Sequence, residues 1–337
     1  MTEQSKIPVP PADEETLLER AVRTFGTGQF APPPVPENLA PRPVKPAQRN
    51  RPAAAPAAPQ PALPDEPQPQ ILLEQTAAAP APARPAAEPV RFPAARHAVD
   101  RTLLRELGMI VPEGGVTALL EEFRIVKRTL LLQASHLRQQ GGGAAAQRVL
   151  ICSPHPGEGK TFCAVNLALA IAAEKEGDVV LVDADFAKPS VLATLGLPGG
   201  KGLMDALADP DIDVADCVLG TDVPGLWVLP AGGATASDTE YLSTSRAAQV
   251  LDRLTQGAPN RIVIFDSPPA LAASPAAELA KYVGQALIVV RADRTGQGAL
   301  EDAISLLSGC PNIQLLLNAT HFSPSGRSFG TYYGYKG

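Results

Sequence analysis

The sequence predicts an α/β fold with a doubly wound, mainly parallel sheet, and three observations carry that prediction. Apolar runs of strand length alternate with stretches of helical pattern from about residue 149 to residue 318. The runs are continuous rather than alternating, which suits central strands covered on both faces. Several of them end in Asp or Asn, and open α/β sheets bind ligands at the carboxyl ends of their strands.

The first 97 residues follow no such pattern. They hold 22 of the 36 prolines, many in Pro–Ala repeats such as Pro52–Pro56. Proline fixes φ and removes a donor, and alanine buries little area. Residues 1–97 therefore read as a disordered or polyproline-like region that cannot offset its ordering entropy. Within it, residues 13–25 have helical spacing, with Leu17, Leu18, Ala21, Val22 and Phe25 on one face. Two readings stand: a docking segment that orders on a partner, or a transient helix, since short isolated helices are marginal in water.

The remaining elements follow in order. Val99–Gly108 reads as a helix stopped by its glycine. Thr117–Gln139 reads as a longer helix that buries Leu119, Phe123, Val126, Leu130 and Leu131 and ends at Gly141–Gly143. Glu121, Arg124 and Lys127 recur every three residues and so project from a similar side, as a solvated face or a contact surface. Val149–Cys152 is a strand, and the apolar stretch Phe162–Ala172 is a helix. Val179–Asp183 is the next strand, followed by helices over Val191–Leu197 and Gly202–Ala208. A strand begins at Leu226, a helix covers Tyr241–Gln256, and a strand covers Arg261–Asp266. Helix Ala276–Val283, strand Gln285–Arg291, helix Gly298–Leu307 and strand Ile313–Asn318 complete the series.

The stretch Ser153–Thr161, Ser-Pro-His-Pro-Gly-Glu-Gly-Lys-Thr, joins the first of these strands to its helix. Strand, glycine turn, Lys-Thr and helix form the context of a phosphate-binding P-loop. Gly157 and Gly159 let backbone N–H groups face an anion, and the helix N-terminus adds its positive dipole end. Lys160 is placed to reach the β- and γ-phosphates, and the Thr161 hydroxyl to ligate Mg²⁺. Pro154 stands where the usual pattern has its first glycine. Gly157, Glu158, Gly159, Lys160, Thr161 and Phe162 are the expected nucleotide-binding residues of this segment.

Three carboxylates sit at strand ends. Asp183 and Asp185 close one apolar run and Asp266 another. They are expected to converge with Lys160 and Thr161 on one crevice. Thr161, Asp185 and Asp266 are the expected metal residues. Of Asp183 and Asp185, one helps to hold the metal and the other orients or deprotonates the nucleophile; Asp183 is taken as the base. Asn318 ends the last strand and reads either as a contact to the base edge of a nucleotide or as a turn cap. Ala319 follows it where a guanine-reading pattern has Lys, so ATP is expected rather than GTP.

Together these motifs resemble the bacterial tyrosine kinases, P-loop proteins unrelated to eukaryotic protein kinases. Glu121, Arg124 and Lys127 resemble the family's Glu-x-x-Arg-x-x-Arg interface motif, with Lys in the last place. Leu226–Gly232 is similar to the family's third strand and following glycine. The chain ends in a cluster containing Tyr332, Tyr333 and Tyr335, of the kind these kinases autophosphorylate. Residues 317–337 are most similar to the autokinases of exosortase-associated exopolysaccharide loci. The resemblance covers about residues 98–337. It implies a 98–140 interface segment, a 141–322 ATP-binding kinase domain and a flexible 323–337 tail. It also implies ATP and Mg²⁺ as cofactors and a homo-oligomeric ring that phosphorylates its tail tyrosines in trans. The implied partner is a membrane chain-length-determinant (polysaccharide co-polymerase) protein. One departure is Ala187, where the family often has a basic residue; Lys188 follows it.

Bulk properties narrow the alternatives. A net charge of −6 argues against a generally basic nucleic-acid binder. Cys152, Cys163, Cys217 and Cys310 lack metal-ligand spacing and read as small buried hydrophobes. The longest apolar stretch belongs to the P-loop helix and is too short to span a bilayer. A cytoplasmic protein recruited to the membrane by its partner is expected. The same nucleotide motifs also admit a partition- or septum-type switching ATPase, or an ATP-dependent scaffold without phosphate transfer.

Overall fold

The structure is a computed structural model that describes residues 88–233 and 237–320. The 13–25 segment and the Tyr332, Tyr333 and Tyr335 cluster lie outside the described residues. Eight strands form one sheet: β1 Arg96–His97, β2 Arg148–Cys152, β3 Val179–Asp183, β4 Leu219–Thr221, β5 Leu226–Leu229, β6 Ile262–Asp266, β7 Gln285–Arg291 and β8 Ile313–Asn318. Their order is β1-β4-β5-β3-β6-β2-β7-β8. Neighbours are parallel except β4 and β5.

The helices are α1 Arg101–Glu106, α2 Ala118–Gln139, α3 Lys160–Ala172, α4 Val191–Leu195, α5 Leu203–Ala208, α6 Asp238–Leu242, α7 Ser245–Arg253, α8 Pro275–Ala280 and α9 Gln297–Leu306. Among the described residues, no helix is long and apolar enough to cross a membrane.

The continuous apolar runs have the physical cause the sequence suggested. Every residue of β2, β3 and β6 is buried, because helices cover both faces. Alternate residues of each strand enter different cores. Leu150, Val180, Val182, Val263 and Phe265 join one core with residues of α5, α7, α8 and α9. Val149, Ile151, Val179, Leu181 and Ile264 join the other with α2 and α3. Helix α3 is apolar nearly all round because it lies between the sheet and α2. All four cysteines are buried and unpaired. Burial pushes the Cys152 thiol up to about 11 and the Cys163 thiol up to about 12.

Two boundaries differ from expectation, and two short strands were not expected. The disordered region was expected to run to residue 97, yet residues 88–97 pack as a strap. Val90 is buried, and its N–H donates to the Gln256 carbonyl at 2.9 Å. Phe92 meets Trp227 edge to face at 5.1 Å, and β1 adds a parallel edge to β4. Arg96 and Arg261 each lie 4.2 Å over a ring, of Trp227 and Phe92 respectively. The proline-rich composition masked these few anchoring residues. The helix expected over Tyr241–Gln256 is two helices, α6 and α7. Ser243 and Thr244 interrupt it, and their hydroxyls donate to the Thr239 and Tyr241 carbonyls at 2.9 and 2.8 Å, a competition that disfavours helix interiors. The short strands β1 and β4 carry too few residues to show a period.

Candidate phosphate and metal site

The parallel register brings the candidate carboxylates to one end of the sheet. Asp183 and Asp266 are register partners on β3 and β6, and Ile151 of β2 is opposite Asp266. The loop after β2 follows at once. Ser153 is buried, and its hydroxyl donates to the His155 carbonyl at 2.8 Å. Gly157 and Gly159 take φ of 78° and 101°. At Gly159 the conformation favours glycine, and a Cβ there would lie 2.1 Å from Asn318 Nδ2 and push that amide aside.

Helix α3 starts at Lys160 with no side-chain cap. Its first intrahelical bond runs from the Cys163 N–H to the Gly159 carbonyl at 2.9 Å. The N–H groups of Lys160, Thr161 and Phe162 therefore have no acceptor in the helix and are available to an anion. The Phe162 ring turns away, 6.5 Å edge to face with Phe123, so only its backbone belongs to the site. Lys160 is 8% exposed.

The Thr161 hydroxyl donates to Asp266 Oδ2 at 2.6 Å and lies 3.1 Å from Ser190 Oγ. Asp266 Oδ1 is buried without any hydrogen-bond partner. Burial drives the Asp266 carboxyl up to about 7, against the Thr161 hydrogen bond that favours its charge. A buried, unpartnered carboxylate oxygen beside a hydroxyl is a donor set for a hard cation, and Mg²⁺ fits it. Among the described residues, no three acidic, His or Cys side chains form a complete metal cage.

Asp183 is 1% exposed. Its Oδ2 accepts the Ser190 and Val191 N–H groups at 2.8 and 2.9 Å, and its Oδ1 accepts that of Asp185 at 3.3 Å. It thus caps α4 and orients Asp185. Burial raises its carboxyl to about 6, opposed by those three backbone bonds. Asp185 is half-buried, and its Oδ1 accepts the Lys188 N–H at 3.2 Å. Ala187 and Lys188 are both exposed.

Asn318 reaches the loop itself: its Nδ2 donates to the Glu158 carbonyl at 2.9 Å. Glu158 is 4% exposed, and its carboxylate accepts the His155 N–H at 2.8 Å. Three partners escaped the sequence reading: Ser190, Arg291 and Thr295. Arg291 Nη1 donates to the Gly157 carbonyl at 2.9 Å, and Thr295 donates to Glu158 Oε1. Arg291 ends β7, so the rule that strand ends line the crevice points to it as readily as to Asn318.

Of the expected interface triad, Glu121 and Arg124 pair with each other toward the surface. Lys127 departs from that face. It is 8% exposed, and its ammonium donates to the Ala170 carbonyl at 3.2 Å and pairs with Glu174 at 2.7 Å. The helix turns 300° over three residues, enough to roll the third position toward α3.

The sheet order and this loop define a P-loop nucleotide-binding protein. No protein-family model matches the chain. YwqD of Bacillus subtilis, a tyrosine-protein kinase, is 30% identical over 218 residues, covering 64% of this chain and 86% of YwqD. EpsB of Ralstonia nicotianae is 32% identical over 189 residues, covering 55% of this chain but 24% of EpsB. Among solved structures, the chimerical protein CapA2B2 superposes with a TM-score of 0.52 at 23% identity, over 66% of this chain and 92% of that one. It has the same fold. The chain belongs to the bacterial tyrosine-protein kinase family, and it spans about a quarter of the length of EpsB.

Proposed function

We propose that this chain is an ATP-dependent protein-tyrosine autokinase of exopolysaccharide production, transferring phosphate to Tyr332, Tyr333 and Tyr335 in trans. The observation that carries the reading is the pairing of Thr161 with Asp266, whose second oxygen is buried and unpartnered, directly below an uncapped helix N-terminus. Phosphoryl transfer needs positioning and charge neutralisation more than covalent chemistry. The N–H groups of 157–162 and Lys160 would bind the phosphates, and Thr161, Asp266 and Asp185 would hold Mg²⁺. When bound, Mg²⁺ supplies neutralisation of phosphate charge. Asp183, raised to about 6, is matched to accept the tyrosyl proton near neutral pH. Asn318 lies beside the loop to contact the nucleotide.

Family membership supports the activity, and the tail composition supports the acceptor. Glu121 and Arg124 serve a ring contact between copies, with Lys127 bracing their helix from behind. By the same resemblance, a membrane chain-length-determinant protein recruits the chain to the cytoplasmic membrane face.

The test is intact mass and peptide mapping after incubation with Mg-ATP, with and without the cytoplasmic tail of a candidate membrane partner. Phosphate is expected on Tyr332, Tyr333 or Tyr335, and its loss in Lys160→Ala. An unmodified tail in a protein that binds ATP would overturn the autokinase and leave a switch or scaffold. Asp183→Asn and Asp185→Asn separate the base from the metal residue. The first is expected to abolish transfer while sparing Mg²⁺-dependent nucleotide affinity, and the second to weaken both.

A further inference from the structure

Glu158 occupies the middle of the phosphate loop, and nothing in the proposed chemistry uses its side chain. Both its oxygens are engaged. Oε2 accepts the His155 N–H at 2.8 Å, and Oε1 accepts the Thr295 hydroxyl. Thr295 Oγ1 in turn accepts the Arg291 N–H at 2.9 Å. The end of β8 is tied in as well, since the Ala292 N–H donates to the Asn318 carbonyl at 2.9 Å. The ends of β7 and β8 thus form one hydrogen-bonded unit beneath the loop.

That unit grips two successive loop carbonyls, Gly157 by Arg291 and Glu158 by Asn318, each at 2.9 Å. In a trans peptide the C=O and the next N–H point in opposite directions, and every described peptide here is trans. Holding the Gly157 carbonyl outward therefore aims the Glu158 N–H inward. Holding the Glu158 carbonyl does the same for the Gly159 N–H. These are the donors that a phosphate nest requires. Glycines at 157 and 159 leave the loop many alternative conformations, so something outside the loop must select one.

We propose that Arg291 and Thr295, acting with Asn318, are positioning residues that set how tightly the loop grips nucleotide phosphates, without entering phosphate transfer. The inference rests on the nucleotide-binding part of the function proposed above.

The test is calorimetric titration of the full chain with Mg-ATP, beside steady-state kinetics and amide hydrogen exchange of the ligand-free protein. Thr295→Val and Arg291→Met are expected to weaken Mg-ATP binding about tenfold and to raise KM with kcat nearly unchanged. Thr295→Ser, which keeps the hydroxyl, is expected to bind as the parent does. In the ligand-free variants, amides 157–161 should exchange faster while those of β6 keep their protection. General destabilisation would instead speed exchange in β6 too and would count against the proposal. Unchanged affinity and unchanged loop exchange would overturn it, as would a loss of kcat at constant KM. If the parent chain fails to bind Mg-ATP, the proposed function falls, and the exchange measurement still decides whether the clamp orders the loop.

Discussion

At the residue scale, Asp266 shows a site purchased at the expense of stability. Its folded carboxyl titrates near 7 because burial disfavours the charge. A raised folded value means that the native state holds its proton more tightly than the unfolded chain does. Stability is therefore greatest at low pH for this group and falls as pH rises from the ordinary carboxylate range, about 4, to about 7. Asp266→Asn removes the charge and keeps an acceptor for the Thr161 hydroxyl. Without Mg²⁺, the variant is expected to match the parent near pH 4 and to exceed it above pH 7, by an amount on the order of a few kcal/mol. Urea unfolding at the two pH values measures this. Equal stability of the two proteins at pH 8 would show that the native fold already relieves the charge. The variant should also lose phosphate transfer, the trade expected where a strained group serves function.

At the element scale, the join between α2 and α3 turns on Lys127. Its stem is buried while its ammonium meets a helix-end carbonyl and Glu174. Glu174 is half-exposed, so the ion pair is worth little by itself. Packing of the stem is the larger contribution. Lys127→Met is expected to cost under about 1.5 kcal/mol, because volume is kept. Lys127→Ala is expected to cost about 2–4 kcal/mol through the cavity it leaves. Denaturant unfolding separates the two, and a Met variant as unstable as the Ala variant would make the ion pair dominant. This residue also marks where the sequence stops being legible. Spacing by threes placed Glu121, Arg124 and Lys127 on one side, but the helix's own rotation takes the third inward. The strands around Leu150, Val180 and Ile264 were legible because burial on both faces forces continuous apolar runs. The placement of Asp266 was legible because a strand end fixes where a side chain goes, and that of Thr161 because the loop pattern puts it in the first turn of the following helix. Arg291 and Thr295 were not noticed, since their contacts join segments more than 130 residues apart in the chain. Glu158 was read as a nucleotide-binding residue, and only the three-dimensional partners show that its side chain is taken up by the His155 N–H and Thr295, which leaves its backbone for that task.

At the scale of the whole molecule, the sheet has two ends with separate tasks. The phosphate loop sits among β2, β6, β7 and β8, while the strap of residues 88–97 closes the far edge beyond β4 and β5. Val90 and Phe92 anchor that edge, and Trp227, the only tryptophan in the chain, lies beneath Phe92 and Arg96. Burying these two side chains contributes about 3 kcal/mol together, which in a domain of this size corresponds to about 6–12 °C in Tm. A chain starting at residue 88 keeps these anchors and serves as the reference. One starting at residue 98 is expected to melt about 6–12 °C lower, with Trp227 emission shifted to the red as its ring loses two covering groups. Nucleotide affinity should be the same in both, because among the described residues the strap's hydrogen bonds and ring contacts go to β4, Gln256, Trp227, Arg261 and Asp222, not to the loop or its clamp. If the shorter chain also loses affinity, the two ends of the sheet are coupled. The strap would then join the site energetically, through β5 and β3 to the cap that Asp183 places on α4.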